Sequence, residues 1–298
     1  MMPKPGDCNP LARPHFESLP SMPKVHPTAI ISAEARLADD VTVGPYAIID
    51  GPVTLGPGCI VHAQSRLIGP LTMGARNAIH TGAVIGDWPQ DRKFKGDFSQ
   101  TLIGDDNIFR EGATVHRGTG LNSKTVIGDR NFFMCNSHVG HNATVASDVT
   151  LVNGAVLAGH SAIGDRAILG AYCSLHQFCR IGRLAMVSNL AALNVDFPPF
   201  FLTMTTNTFH QLNSVGLRRS DMSRTSINAL RQMFQLAFRD QHSRPLQAAL
   251  ADLPPDVLSV AEVQEVIAFC KSAKRGVARF VPWSRRKNLL NVEAPAEE

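Results

Sequence analysis

Four histidines are the residues of this sequence best suited to acid–base chemistry. Imidazole can accept a proton near neutral pH, which is what activation of a hydroxyl nucleophile requires. Two of the histidines directly follow a glycine, whose bare N–H can face an oxyanion. The four are 16 to 25 residues apart, so only the fold can bring them together: His116, Gly140 with His141, Gly159 with His160, and His176 with Gln177.

A repeat of six residues supplies that fold. From Val25 to Leu193 almost every sixth residue is aliphatic or aromatic, and a small residue stands four places after most of these anchors. A period of six fits neither a helix nor a lone amphipathic strand, but it is typical of a solenoid with short flat sides. Three sides close a triangular coil, and each anchor stacks on the anchor of the next coil. The repeat predicts an all-β left-handed parallel β-helix of about nine coils, against the usual handedness of parallel crossovers.

Two breaks in the repeat predict loop insertions, at about residues 86–102 and 117–126. When the sides are numbered through both insertions, five anchors fall on one side of successive coils: Ile85, Val115, Val139, Leu157 and Leu175. The four histidines follow anchors of this side, so they are expected to stack in steps of about 5 Å. The first insertion, which carries Gln90, Asp91 and Lys93, leaves from the coil beneath them.

The repeat stops at Asp196–Pro199, and helical periodicity follows. Ser223 is expected to cap a helix with Ile227, Leu230 and Phe234 on its buried face, and a later helix contains Val263 and Ile267. The predicted organisation is a disordered leader over 1–24, the β-helix over 25–198, a small α-helical C-terminal domain over 199–290, and a flexible acidic tail over 291–298.

Composition narrows the functional classes. The six cysteines show no metal-type pairing and are interpreted as reduced cytosolic thiols, which predicts a cytoplasmic protein. No apolar run is long enough to span a bilayer, so no membrane span is expected. The net charge of +4 is mild and spread out, which argues against nucleic acid. Residues 218–292 hold thirteen Lys or Arg and six Asp or Glu, either as a solvated helix face or as a dock for an acidic partner.

The chain resembles the UDP-N-acetylglucosamine O-acyltransferase family of lipid A biosynthesis from Val25 to about Arg279. The resemblance is carried by short stretches around the histidines and in the first insertion. They are Val25-His-Pro-Thr-Ala-Ile30, Gln90-Asp91-x-Lys93, Val115-His-Arg-Gly-Thr119, Asn136-Ser-His-Val-Gly-His141, Leu157-Ala-Gly-His160, His176-Gln-Phe-Cys179 and Ser272 to Val277.

The resemblance implies transfer of an (R)-3-hydroxyacyl group from acyl carrier protein to the 3-hydroxyl of UDP-N-acetylglucosamine, with no metal and no organic cofactor. His141 is the implied general base, and the Gly159 N–H holds the oxyanion. The implied substrate-binding residues are Gln90, Asp91, Lys93, His116, His138, His160, His176, Gln177, Asn213 and Arg219. The family is trimeric with sites between prisms, so the resemblance also implies a homotrimer, and the basic helices receive the acidic carrier protein.

The sequence departs from the family pattern near these residues. Asn142 stands where an aspartate usually follows the catalytic histidine; its amide can still orient the imidazole but brings no charge. Val215 and Ser220 replace an acid and an arginine of the nucleotide site. Ser188 and Asn189 replace two small residues of the acyl-chain ruler, so we expect a shorter acyl group, because overpacking and an unpaired amide cost free energy.

Other functions remain open on the sequence alone. An N-acyltransferase on a 3-amino UDP-sugar needs the same base, and one on an acylated glucosamine usually carries a large extra N-terminal domain. A catalytically lapsed paralogue has Asn142 and Val215 in its favour. A carbonic anhydrase prism pairs its histidine ligands with four residues between them, whereas His138 and His141 have two.

Overall fold

The computed structural model describes residues 23–239 and 245–282. In it the chain winds through three parallel sheets in turn, here called sheets A, B and C, and closes one triangular coil after each third strand. Most of the predicted leader, the acidic tail and residues 283–290 lie outside the described residues. The first strand begins at Lys24, inside the stretch expected to be leader.

The strands are short, as hexads require. Sheet A contains β1 (Lys24–Val25), β4 (Thr42–Val43), β7 (Ile60–Val61), β10 (Ala78–Ile79), β13 (Ile108–Phe109), β16 (Phe132–Phe133), β19 (Thr150–Leu151), β22 (Ile168–Leu169), β25 (Met186–Val187), β27 (Phe201–Thr203), β28 (Thr208–Leu212) and β29 (Arg279–Phe280). Sheet B contains β2 (Ile30–Ile31), β5 (Ile48–Asp50), β8 (Arg66–Ile68), β11 (Val84–Asp87), β14 (Thr114–His116), β17 (His138–Val139), β20 (Val156–Leu157), β23 (Ser174–Leu175) and β26 (Ala192–Leu193). Sheet C contains β3 (Arg36–Leu37), β6 (Val53–Leu55), β9 (Leu71–Met73), β12 (Ser99–Ile103), β15 (Ser123–Ile127), β18 (Thr144–Val145), β21 (Ala162–Ile163) and β24 (Arg180–Ile181).

The hexad anchors fill the interior of the prism. From Val43 upward they are almost completely buried and stack coil on coil, and Phe109 lies on Phe133 with ring centroids 4.6 Å apart. The lowest anchor, Val25, is 40% exposed because no coil lies beneath it among the described residues. Stability therefore comes from stacking between neighbouring coils, since one coil cannot bury its own interior.

Two kinds of residue shape each corner. The small residues, such as Ala47 and Ala143, are buried inside the prism. The turn itself is made by the residue before each of them, which adopts a left-handed conformation, as Tyr46 (φ 56°) and Asn142 (φ 59°) do. A non-glycine residue in this region costs roughly 1–2 kcal/mol, so the hydrogen bonds and packing of each corner must offset that cost.

Both insertions are shorter than predicted. The strand β11 continues to Asp87 and β12 already begins at Ser99, so the first insertion spans 88–98. The strand β15 begins at Ser123, which limits the second insertion to 117–122. The added strand residues pair in register with their neighbours, for example Ser99 with Ser123. The hexad pattern does not reveal strand residues such as Ser99 and Ser123, because they precede the anchors of their strands.

The C-terminal region is not purely helical. The strands β27 and β28 form an antiparallel hairpin, and β29 pairs with β28, so three strands continue sheet A beyond the predicted end of the prism. The helices are α1 (Ser214–Arg219), α2 (Arg224–Phe234), α3 (Leu246–Ala251), α4 (Pro255–Leu258) and α5 (Ala261–Lys271), and a π-helical turn, Gln235–Arg239, extends α2. As predicted, the Ser223 side chain caps α2 by accepting a hydrogen bond from the Ser226 N–H.

Ion pairs and aromatic rings join the helices to the top of the prism. Arg180 contacts the buried Asp196 at 2.6 Å and also donates to the Phe269 carbonyl. The rings of Phe201, Phe209 and Phe238 pack together, which anchors the end of α2 on the hairpin. Within residues 23–239 and 245–282, no helix combines the length and the hydrophobicity that a bilayer crossing needs.

Candidate functional site

The predicted column of histidines exists. The five anchors that were assigned to one side pair directly in sheet B, where Ile85 aligns with Val115, Val115 with Val139, Val139 with Leu157, and Leu157 with Leu175. The residues after these anchors lie where sheet B turns into sheet C, here called the B–C corner. Numbering the sides through both insertions was therefore correct.

The imidazole rings contact one another along this corner. The rings of His116 and His138 meet edge to face with centroids 4.9 Å apart, and those of His141 and His160 do so at 5.1 Å. His160 also stacks on Phe178 at 4.8 Å. His176 lies one coil further on and is exposed, with its Nδ1 3.0 Å from the Gln177 carbonyl oxygen. Four of the predicted histidines thus form two contacting pairs at this corner, and His176 lies one coil above them.

His141 and Gly159 lie against each other on successive coils. The backbone oxygen of His141 accepts a hydrogen bond of 2.9 Å from the His160 N–H. A Cβ atom built on Gly159 would overlap the Nε2 of His141, so only glycine leaves room for the imidazole. Gly140 also allows a close approach, because a Cβ there would lie 2.7 Å from the Gly159 nitrogen. The two glycines therefore bring the bare backbone of one coil up to the ring carried by the other.

The N–H of Gly159 is unused. At the equivalent position of five other corners a side chain one coil higher accepts the hydrogen bond, as Asp129 does for the Asp105 N–H and Asn189 for the Ala171 N–H, at 2.8 and 2.9 Å. Among the hydrogen bonds of the described residues, none takes the N–H of Gly159. A buried donor without a partner costs free energy. An unused N–H beside an imidazole can donate a hydrogen bond to an oxyanion.

Asn142 orients the imidazole of His141, as predicted from its position. Its Oδ1 lies 2.9 Å from the Nδ1 of His141, which is 5% exposed. The backbone N–H of Asn142 donates to the Thr125 hydroxyl at 2.9 Å. The second nitrogen, Nε2, is thereby directed toward Gly159.

Burial keeps the neighbouring histidines uncharged. It lowers the pKa of His138 to about 4, and the nearby His116 and His141 rings add to the effect. Burial likewise lowers the pKa of His116, against the opposing charge of Asp87. His138 Nδ1 is also 2.8 Å from the Thr114 hydroxyl. These rings act at neutral pH as hydrogen-bonding groups and not as cations.

The first insertion folds back toward the same corner. Burial lowers the pKa of His160, and the Asp91 carboxylate is close enough to oppose that shift. The Asp91 side chain also accepts from the Lys93 N–H at 2.9 Å, while Gln90 and Lys93 are exposed. Asp91 is thus the residue of this segment that acts on the charge of His160.

Sequence reasoning missed the residues that hold this corner together. The guanidinium of Arg117 donates to the Gly69 carbonyl at 2.6 Å and lies 5.9 Å from the Trp88 ring, which links both insertions to the coil below. Thr114 and Thr125 orient His138 and Asn142. Thr114 lies two residues before His116 and Arg117 directly after it. This proximity was the one signal in the sequence that could have indicated their role.

The predicted nucleotide residues lie at a different corner, between sheets C and A. The Asn213 side chain caps α1 by accepting from the Gly216 N–H and donates to the Leu184 carbonyl at 2.9 Å. Arg219 lines an open pocket of about 450 Å³ there. The other lining residues are Asp148, Arg166, Leu184, Gly216, Ser220 and Asp221.

The predicted acyl-chain ruler lies at the third corner, between sheets A and B. The Ser188 hydroxyl donates to the Thr203 carbonyl at 3.1 Å, and the Asn189 amide oxygen accepts from the Ala171 N–H. One chain therefore assembles the histidines with the first insertion, but it keeps the nucleotide and ruler residues at the other two corners. Within the described residues of the chain, no three His, Cys, Asp or Glu side chains converge as metal ligands.

Comparison with known proteins identifies the family. Residues 196–278 match the family model described as UDP N-acetylglucosamine O-acyltransferase, domain 2. The chain is 38% identical over 259 residues to the acyl-[acyl-carrier-protein]–UDP-N-acetylglucosamine O-acyltransferase of Syntrophobacter fumaroxidans, which covers 86% of this chain and 100% of that protein. The enzyme of that name from Trichlorobacter lovleyi is 46% identical over 260 residues, covering 86% and 99%.

The crystal structure of UDP-N-acetylglucosamine O-acyltransferase from Moraxella catarrhalis superposes with a TM-score of 0.80 at 34% identity, covering 86% of this chain and 100% of that one. The shared fold is the left-handed parallel β-helix with C-terminal helices that the hexads predicted. Sequence and structure thus agree, and the chain belongs to the acyl-[acyl-carrier-protein]–UDP-N-acetylglucosamine O-acyltransferase family.

Proposed function

We propose that this chain transfers an (R)-3-hydroxyacyl group from acyl carrier protein to the 3-hydroxyl of UDP-N-acetylglucosamine, the first step of lipid A biosynthesis. The substrates follow from the names of the relatives. The observation that carries the chemistry is the pair formed by His141 and Gly159, in which an oriented imidazole faces a glycine with an unused N–H.

In the proposed mechanism the Nε2 of His141 takes the proton of the sugar 3-hydroxyl as that oxygen attacks the thioester carbonyl. The carbonyl oxygen becomes an oxyanion and accepts a hydrogen bond from the Gly159 N–H. Collapse of the tetrahedral intermediate breaks the carbon–sulfur bond, and the imidazolium returns its proton to the leaving thiolate. A positioned base contributes about 10²- to 10⁴-fold, and an oxyanion donor about 3 to 4 kcal/mol.

The remaining polar groups of the B–C corner hold the sugar. Asp91 acts on His160 from the first insertion, and its carboxylate also holds the Lys93 N–H. In the proposed complex Asp91, Lys93 and Gln90 contact the sugar, His138, His160 and His176 line the cleft, and His116 supports His138 from below. Burial lowers the pKa of His116, His138 and His160, which suits these three rings to bind hydroxyl groups, because a neutral imidazole both donates and accepts.

The active form is a homotrimer with its sites between prisms. Asn213 and Arg219 lie at the C–A corner, away from His141, so a neighbouring chain must bring the nucleotide residues to the cleft. Gln177, exposed at the B–C corner, faces the pyrophosphate from the first chain. The separation of these groups within one chain is what supports the assembly.

The nucleotide pocket compensates for its two substitutions. Neither Val215 nor Ser220 carries a charge. The Val215 side chain is 46% exposed, and the Ser220 hydroxyl donates to the Leu217 carbonyl. Arg166 and Asp221 line the same pocket and pair at 3.3 Å. An arginine and an acid are therefore restored at neighbouring positions.

The acyl donor is acyl carrier protein, which is acidic, and the reaction takes place in the cytoplasm. Basic side chains are available on the helices near the top of the prism, including Arg218 and Arg219 in the last turn of α1 and Arg231 in that of α2. Complementary charge accelerates such an encounter and makes it sensitive to salt.

Ser188 and Asn189 shorten the acyl chain that the cleft accepts. Both carry side chains where small residues are expected, and Asn189 is exposed while fixed to Ala171. Assays with C10, C12 and C14 hydroxyacyl donors should show a preference for the shorter chains. Asn189→Gly should shift the preference toward longer ones. A clear preference of the unchanged protein for C14 would contradict this assignment.

The proposed function is tested by the mass of the product. The purified chain is incubated with (R)-3-hydroxyacyl carrier proteins and either UDP-N-acetylglucosamine or its 3-amino analogue. We expect an O-acylated product and a loss of at least about 10²-fold in rate for His141→Ala. Turnover of the amino analogue alone would indicate an N-acyltransferase. Binding of the substrates without turnover would indicate a catalytically lapsed paralogue. An unchanged rate for His141→Ala would exclude His141 as the general base.

A further inference from the structure

The second insertion holds Asn142 through the backbone N–H and the backbone carbonyl of a single residue, Thr119. The Thr119 N–H donates to the Oδ1 of Asn142 at 2.8 Å, and the Nδ2 of Asn142 donates to the Thr119 carbonyl oxygen at the longer distance of 3.4 Å. Thr119 lies 23 residues before Asn142 and one coil below it. The amide of Asn142 therefore has a partner on each of its two sides.

These partners fix which way the amide faces. A peptide N–H can only donate and a peptide carbonyl can only accept, so Oδ1 must face the nitrogen of Thr119 and Nδ2 its oxygen. The flipped amide would place two donors against each other on one side and two acceptors on the other. The orientation of Asn142 is thus determined by a backbone group that cannot change its own character.

The same Oδ1 lies 2.9 Å from the Nδ1 of His141. An amide oxygen carries no proton, so the hydrogen between the two atoms belongs to Nδ1. In a neutral imidazole the lone pair then resides on Nε2, the nitrogen that faces Gly159.

We propose that the backbone of Thr119, acting through Asn142, holds His141 in the tautomer with its proton on Nδ1, leaving Nε2 ready to accept a proton. Thr119 and Asn142 are positioning residues in this arrangement, and its catalytic meaning rests on the proposed function. Selection of the tautomer requires no negative charge. The amide satisfies both the N–H and the carbonyl of Thr119, whereas a carboxylate would set an oxygen against the Thr119 carbonyl.

The tautomer can be read directly by solid-state ¹⁵N NMR of the full-length protein labelled at histidine nitrogens, with His141→Gln identifying the signals of His141. We expect the unchanged protein at neutral pH to show one His141 signal set with Nδ1 protonated. Asn142→Leu has a similar size but no acceptor, and it should give a mixture of tautomers. Asn153→Leu makes the same change at an exposed corner position outside the site and serves as the matched control.

The kinetics should follow the tautomer. Asn142→Leu should lower kcat by about 10²-fold or more and leave KM within about threefold, because the sugar-binding groups remain. Asn142→Asp retains the acceptor for Nδ1, so it should keep the Nδ1–H tautomer and stay within about tenfold of the original kcat. Asn153→Leu should change neither quantity.

A proton on Nε2 in the unchanged protein would overturn the inference without any variant. Retention of a pure Nδ1–H tautomer in Asn142→Leu would do so as well. The NMR result does not depend on turnover, so it separates the two proposals. If His141→Ala keeps full activity, the proposed function fails while the tautomer remains measurable; if the tautomer ignores Asn142 while His141 is essential, this inference alone fails.

Discussion

The B–C and C–A corners of the prism are built from the same hexad but treat their polar groups in opposite ways. At the C–A corner Asn77, Asn107 and Asn131 form a buried amide ladder in which each Oδ1 accepts the N–H of the next coil at about 2.8–2.9 Å. Outside it, arginines pair with aspartates of the next coil, such as Arg130 with Asp148 at 2.9 Å.

The B–C corner instead leaves groups unpaired. His116 Nδ1 and Arg117 Nε are buried without a hydrogen-bond partner among the described residues, and the Gly159 N–H is unused. At the C–A corner the Nδ2 of Asn131 is the corresponding exception. The C–A corner thus uses its polar groups to join neighbouring coils, whereas the B–C corner leaves several polar groups available to a substrate. A repeat protein can therefore carry a functional site at the corner where the polar groups do not pair from coil to coil.

The largest effect should come from closing the open corner. Gly159→Ala places a methyl group on the Nε2 of His141 and displaces the imidazole from the oxyanion donor. We expect kcat to fall by about 10²- to 10³-fold, measured with the carrier-protein assay, while the melting temperature changes little. Alanine is compatible with the turn, since Ala75 and Ala171 occupy the equivalent position elsewhere. Ala75→Gly is the matched control, and activity close to normal in Gly159→Ala would contradict the assignment.

The paired corner should respond in stability and not in rate. Asn107→Ala removes the middle of the ladder. The Asn131 N–H loses its acceptor, and the Asn77 Oδ1 loses the Asn107 Nδ2 but keeps the backbone N–H of residue 107. A buried group left unsatisfied costs about 1–3 kcal/mol, so the free energy of unfolding should fall by about that amount in denaturant titrations with kcat unchanged. Asn153→Ala, at an exposed corner position, provides the comparison. A lower kcat with full stability would reverse the roles given to the two corners.

Acid should destabilise the histidine corner selectively. His138 has a pKa of about 4 in the folded chain and an ordinary value near 6.5, so the unfolded chain binds more protons between these values. Its contribution is fully present above pH 6.5 and is lost as the pH falls to 4, by about 3 kcal/mol. The free energy of unfolding of His138→Gln should depend less steeply on pH in that window. A slope for His138→Gln equal to that of the unchanged protein would refute the prediction.

The smallest effect should come from the outer ion pairs of the C–A corner. Arg130 and Asp148 are both largely exposed, so the pair is screened by water and salt. Arg130→Ala should lower the free energy of unfolding by less than about 1 kcal/mol, and 1 M salt should remove the difference. A loss as large as that of Asn107→Ala would show that the outer pairs, and not the ladder, hold this corner.

The sequence predicted the prism and its histidine column because both depend on a fixed period. The anchors Val139 and Leu157 are eighteen residues apart, and any chain that keeps this spacing stacks them. The Asn142 contact with His141 was also predictable, since neighbours in sequence remain neighbours in space. The hairpin of β27 and β28 was not, because its residues follow no hexad and Phe201 is fixed by packing against rings more than thirty residues away.

The site was predictable only where a motif named its residues. Thr119 reaches Asn142 through its peptide group, so its side chain gives no indication of the contact. No sequence motif indicated that Asn213 lies at a different corner from His141, because that depends on which corner the chain reaches after the prism ends. Long-range placement of this kind comes from the number of coils and the path of the C-terminal region.

The antiparallel hairpin at the top of sheet A also limits how far the prism can grow. A stack of parallel coils offers its last strands as a template for further strands, including those of another copy. Here β28 runs against the direction of the ladder, and Arg180 binds Asp196 and α5 across the last coil. A further coil running in the direction of the prism would therefore find no parallel strand to pair with at the end of sheet A, where β29 runs alongside β28.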